Sequence, residues 1–161
     1  MSNRAMGVYD MHERKEIITI SDECIAKAKP LSGYAHDVFK MKPRQRDKLL
    51  LKLTKDGKAE YLHAIFSAKN MLELEAKSGQ LLTAAIGMWY EDVVDVLLHH
   101  GADPNEVKTK NYLKLLRRQG RSQETRLRIM QKAVKTGYDL SEHIEDLIVP
   151  MFGEYALHHS S

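Results

Sequence analysis

Apolar residues recur at three- and four-residue spacings through most of this chain, and the clearest run lies between Ser78 and Asn105. Leu81, Leu82, Ala85 and Ile86 mark the buried stripe of one short helix, and Val93, Val94, Val96, Leu97 and Leu98 mark the broader stripe of a second. Two neighbouring helices with one apolar face each are predicted to pack on each other. Glu91 and Asp92 fall in the first turn of the second helix, and His99 and His100 fall in its last turn. Acid thus meets the positive end of the helix dipole, and a potential cation meets the negative end. Gly101 then stops the helix, because glycine reaches the left-handed conformation that closes a helix C-terminus. Asp103-Pro104-Asn105 adds turn chemistry that cannot extend it.

The same spacing predicts helices elsewhere. Ser21 offers a cap for a short helix through Cys24, Ile25, Ala26 and Ala28, closed by Pro30 and Ser32-Gly33, and Tyr34 to Met41 forms another short segment. Pro43 suits a first helical turn, and Leu49, Leu50, Leu51 and Leu53 carry that helix to Asp56-Gly57. Ala59 to Lys77 reads as a helix pair, with Tyr61, Leu62, Ile65 and Phe66 before a break near Lys69-Asn70 and Met71, Leu72 and Leu74 after it. A later pair carries Tyr112, Leu113, Leu115 and Leu116, then a break over Gly120 to Ser122, then Leu127, Ile129, Met130, Ala133 and Val134. Ser141 caps a final helix with Ile144, Leu147, Ile148 and Met151 on one face. Near the start, Ile17-Ile18-Thr19-Ile20 fits either a strand or a buried helical turn, and a packed extension is the preferred reading.

The run Asp92-Val93-Val94-Asp95-Val96-Leu97-Leu98-His99-His100-Gly101-Ala102-Asp103-Pro104-Asn105 resembles the second helix and exit turn of an ankyrin repeat, which leads through leucine-like residues to Gly-Ala-Asp-x-Asn. The first helix departs from that pattern. The family's Thr-Pro-Leu-His opening falls on Gln80-Leu81-Leu82-Thr83, where Leu82 alone agrees, and Leu62-His63-Ala64 faintly echoes a first helix. Trp89 and Tyr90 occupy the usual Gly-His positions between the helices, so the reversal is either rebuilt around two aromatics or shifted onto Gly87. Gly137-Tyr138-Asp139 repeats the exit about 36 residues after Gly101, against about 33 for an ankyrin period. The resemblance is clearest over 78–105, weaker over 106–140 and degenerate over 56–77. It implies an all-α, single-domain chain (1–161) with an irregular helical N-terminal segment over 1–55 and a short ankyrin-like helical-repeat solenoid over 56–140. A C-terminal capping helix and tail over 141–161 complete it.

Composition agrees with a packed helical domain. A chain of 161 residues that is 43% hydrophobic, with 4 prolines and 9 glycines, has core enough to fold without disulfides. Cys24 is the one cysteine, so an internal disulfide is excluded and a reducing compartment fits. The first twenty residues contain no apolar run of signal-peptide or membrane-spanning length, so a soluble protein with no membrane partner is expected. The cytoplasm is the expected location, or a host's cytoplasm if the chain is a secreted effector.

No residues are assigned to catalysis, to a cofactor or to a metal. Among 8 histidines, His99 and His100 are adjacent and point to different sides of a helix, whereas ligation from one face needs spacings of three or four. Cys24 reads as a small buried hydrophobe, and a nucleophile would need it to converge with His12 and His36. The favoured function is therefore a non-catalytic protein–protein interaction module acting as a regulator, inhibitor or effector. The ankyrin resemblance implies that turns and first helices line a concave binding face, which places Asn105, Lys108, Lys110, Lys114 and Arg117 on it. Trp89 and Tyr90, large rigid aromatics that fit a contact surface and a core equally, join them with Met88 beside them. The partner expected there is a protein with an acidic surface. The alternative is a nucleic-acid-binding regulator using the basic runs 40–48 and 108–128, although a net charge of +3 is modest for a phosphate binder.

Overall fold

The computed structural model describes residues 16–116 and 123–139, and all regular secondary structure in them is helical. Eight α-helices run through these residues: α1 Asp22–Ala28, α2 Ser32–Phe39, α3 Pro43–Lys55, α4 Ala59–Ala68, α5 Ser78–Met88, α6 Glu91–His99, α7 Thr109–Leu115 and α8 Gln123–Lys135. Arg117 and the helix expected after Ser141 lie outside the described residues.

Four of these helices close with one hydrogen-bond pattern. After α6, Gly101 takes a positive φ of 99° and donates to the Leu98 carbonyl at 3.1 Å, while the Ala102 amide reaches back to Leu97 at 3.0 Å. This satisfies carbonyls that a helix end leaves orphaned. Gly57 after α3 and Gly137 after α8 hold the same position. After α5 the position belongs to Trp89, with φ 58°. The reversal therefore stays at residue 89 and is not shifted to Gly87, which is an ordinary helical residue. A non-glycine residue in this conformation costs about 1 kcal/mol. Contacts of the two aromatic rings offset it: the Trp89 ring stacks 5.1 Å from the Arg126 guanidinium, and the Tyr90 ring covers Gly57.

The helices form two rows. α3, α5 and α7 neighbour one another in one row, and α4, α6 and α8 neighbour one another in the second. Each first-row helix also packs on the helix that follows it: α3 on α4, α5 on α6 and α7 on α8. α1 and α2 cover α4 at the end of the second row. One continuous core runs between the rows, with Leu62, Ile65, Leu82, Ile86, Val93, Leu97 and Ile129 all buried. Each such side chain contributes about 1.5–3 kcal/mol by leaving water.

Two expectations are corrected here. The helix pair predicted over Ala59 to Lys77 is one helix and a turn, because Lys69 leaves the helix in extended backbone. Asn70 and Glu73 then cap each other's amides, at 2.8 Å and 3.3 Å, and the turn ends at Glu75. Leu72, counted as apolar helix face, is 88% exposed. α4 also stands in the second row, so its partner is α3 and Leu62-His63-Ala64 belongs to a second helix, not a first. The paired arrangement accordingly begins at Pro43, inside the segment expected to be irregular.

Residues 16–20 are the packed extension. Ile18 and Ile20 are buried while Ile17 faces water, the alternation of an extended chain. Glu16 donates its amide to the Lys135 carbonyl at 2.8 Å, and the Ile18 carbonyl meets His99 Nδ1 at 2.7 Å. Among the described residues, no helix is long and apolar enough to cross a membrane.

Candidate functional site: a lysine-lined groove

The face of α3, α5 and α7 turned away from the second row carries an open groove of about 790 Å³. None of its lining residues comes from α4, α6 or α8. Leu51, Ala76 and Ala84 supply its apolar part, and Lys55, Lys77, Lys108, Lys110 and Lys114 surround them. Within the groove, α5 begins close to the turn that follows α6. Gly79 approaches Glu106 so closely that a Cβ at residue 79 would lie 2.8 Å from the Glu106 Cβ. The Ser78 hydroxyl donates to Glu106 Oε1 at 3.2 Å, which seats that carboxylate at the N-terminal end of α5, where the helix dipole favours it.

The sequence-predicted contact residues are divided between three places. Lys108, Lys110 and Lys114 line the groove. Asn105 lies beside it and acts as a tie between turns: its amide donates to the Gly137 carbonyl at 2.9 Å and its oxygen accepts from the Asp139 amide at 2.8 Å. Its own backbone amide donates to Asp103 Oδ1 at 2.9 Å, so the exit of α6 is locked before it reaches the exit of α8. Met88, Trp89 and Tyr90 sit at the α5–α6 junction, beyond the groove lining. Met88 is 46% and Trp89 44% exposed, whereas Tyr90 is partly buried against Gly57. Arg117 falls outside the described residues.

Lys55, Lys77, Ser78, Gly79, Thr83 and Glu106 line the groove as well and were missed by sequence reasoning. A signal for α3 existed. Arg44, Lys48, Leu51 and Lys55 share the helical spacing of a single stripe, and the last two reach the groove. The basic runs, by contrast, do not each form one face. Arg46 is buried and donates to the carbonyls of Met41 and Leu74 at 3.5 and 3.0 Å. Arg126 is buried beneath Trp89, and Arg128 bonds to Glu91 through Nε and approaches Glu124.

That last pairing belongs to an ion network joining α6 to α8. Lys132 Nζ lies 2.6 Å from both Glu91 Oε2 and Asp95 Oδ1. Burial alone would raise the Glu91 carboxyl, but its bonds to Arg128 and Lys132 hold it below the usual range. At the deeper Asp95 burial wins and the carboxyl is pushed up despite the ammonium. The network ties α6 to α8, with its Coulombic gain set against the desolvation of Lys132 and Asp95.

A second cluster gathers three imidazoles at the edge of the core. His63 Nδ1 of α4 and His100 Nε2 are 2.9 Å apart, and the His99 and His100 rings meet edge to face at 4.9 Å. Burial, helped by His63 and His99, pushes His100 down to about 4. Burial and His99 also lower His63. Both rings are neutral at pH 7, and one donates to the other. Ser67 Oγ approaches His63 at 3.3 Å, but on the same nitrogen that faces His100. One nitrogen cannot both take the serine's proton and be oriented by a second imidazole, so the three do not form a relay. Cys24 is buried on α1, where desolvation, with Glu60, Asp92 and Asp95 nearby, raises its thiol above the ordinary value. His36 is exposed on α2 against Phe39, and His12 lies outside the described residues. Among the described residues, no group of three or more His, Cys, Asp or Glu side chains is arranged to hold a metal ion.

Comparison with protein-family models, with curated proteins and with solved structures found no match to this chain.

Proposed function

We propose that this chain is a short ankyrin-like helical-repeat module that binds another protein without performing chemistry on it, using the row α3–α5–α7 as its contact face. The observation that carries the reading is the groove itself, which is lined only by the first-row helices and the turns beside them. The two-row packing and the Asn105 tie between successive exits support the repeat character. Affinity capture tests the proposal. Lys108→Glu, Lys110→Glu and Lys114→Glu together should strip the partner recovered by the unaltered chain, and retention of every captured protein would refute this face.

The rival reading, a nucleic-acid-binding regulator, would use the same lysines with Arg44 and Lys48. It is disfavoured because burial of Arg46 and Arg126 and pairing of Arg128 break up both basic runs. A mobility shift on generic DNA that weakens steeply as salt rises would favour it instead.

A further inference from the structure

We infer that the groove on α3, α5 and α7 receives a short, extended, acidic segment of the partner protein, lying across the row with its carboxylates among Lys55, Lys77, Lys108, Lys110 and Lys114. This inference rests on the protein-binding reading above and names the chemistry of the partner.

Charge is the first argument. Five ammonium groups line the groove against one carboxylate, Glu106. That carboxylate is engaged by Ser78. Lys77 has an ion pair with Asp47, at the long distance of 3.9 Å, and no ion pair joins Lys55, Lys108, Lys110 or Lys114 to another described residue. A free chain with this arrangement holds like charges around a partly apolar floor, and a ligand carrying carboxylates relieves that repulsion. Glu106 is held by the Ser78 hydroxyl and forms no ion pair with the groove lysines.

Shape is the second argument. The floor side chains Leu51, Ala76 and Ala84 are small or half-covered, which suits a backbone and short side chains better than a large anchor. The groove is lined from α3, from α5 with the turn before it and from α7 with the turn before it, so it crosses two interhelical spacings of about 8–10 Å each. At about 3.3 Å per residue, an extended segment of five or six residues covers that distance. Thr83 sits in the middle of α5, on the path of such a segment.

The test is fluorescence anisotropy on the full chain with four labelled probes: a Glu-Ala-Glu-Glu-Ala-Glu hexapeptide, its glutamine isostere, its lysine counterpart and a single-stranded DNA hexamer. Two altered chains accompany it. One carries Lys108→Glu, Lys110→Glu and Lys114→Glu, and the other carries Thr83→Trp, which fills the floor without changing charge. The acidic peptide should bind at least about tenfold tighter than the glutamine isostere, and each altered chain should lose at least about tenfold. If the neutral or basic peptide binds as well as the acidic one, and Thr83→Trp weakens them, the groove binds peptides but the acidic inference is overturned. Tighter binding of the DNA hexamer than of the acidic peptide overturns it in favour of a phosphate ligand. Failure of all four probes overturns both the inference and the groove. The lysine variants alter exposed side chains only, so they decide the result if Thr83→Trp does not fold.

Discussion

The His63–His100 pair ties stability to pH, and the size of the effect follows from its geometry. At neutral pH the two rings share one hydrogen bond at 2.9 Å, and burial of the His100 ring, with His63 and His99 beside it, opposes its protonation. His100 falls from an ordinary 6.5 to about 4 in the folded chain. At about 1.36 kcal/mol per pH unit this gap corresponds to about 3.4 kcal/mol at most, and the remaining solvent access of the ring reduces it to roughly 2 kcal/mol. Above pH 6.5 the ring is neutral in both folded and unfolded chains, so nothing is lost. As pH falls below 6.5 the unfolded chain takes up the proton and the folded chain does not, so stability declines until the folded ring titrates near 4. Urea unfolding at about pH 7.5 and about pH 4.5, on the natural chain and on His100→Gln, isolates this contribution from that of the carboxylates. The loss on acidification should be smaller in His100→Gln by roughly 2 kcal/mol. Equal losses in the two chains would refute the argument that burial keeps this ring neutral.

Two further perturbations address the parts that hold the groove in place, and a third measurement reports on the packing of α1. Asn105→Ala removes both bonds to the exit of α8 and should lower unfolding free energy by about 1–2 kcal/mol in denaturant titration, with no effect if the tie is incidental. Gly79→Ala drives a methyl group into the Glu106 Cβ, and should cost about 1–3 kcal/mol while weakening partner capture, because the 104–106 turn must move. Cys24, buried and with its thiol raised, should react with a thiol reagent far more slowly in the folded chain than in urea, and equal rates would show that α1 does not stay packed on α4.

Much of this fold was legible because local rules and packing agree. Gly57, Gly101 and Gly137 mark three of the helix closures, and the stripes of α5 and α6 are the faces found buried. The reading failed where an apolar triplet had no room to be a helix. Met71, Leu72 and Leu74 lie between a capped Asn70 and a left-handed Glu75, so the chain buries Met71 and Leu74 and leaves Leu72 in water. The pairing error followed, since a helix's own stripe does not say which neighbour covers it. Trp89 was legible as a departure but not as a left-handed residue, because the ring contacts that sustain it come from Arg126, far along the chain. The groove was half legible. Lys108, Lys110 and Lys114 were named, but Lys55 on α3 and Lys77 just before α5 belong to elements whose neighbours only the fold reveals.

On the proposed function, partners engage the α3–α5–α7 row. Amide hydrogen exchange on the chain, free and bound to a captured partner or to the acidic peptide, tests it most directly. Binding should slow exchange in residues 76–84 and 106–114 and leave α6, α8 and the Trp89 junction as they were. Protection confined to α6 and α8, or to residues 88–90, with none along the start of α5, would contradict it.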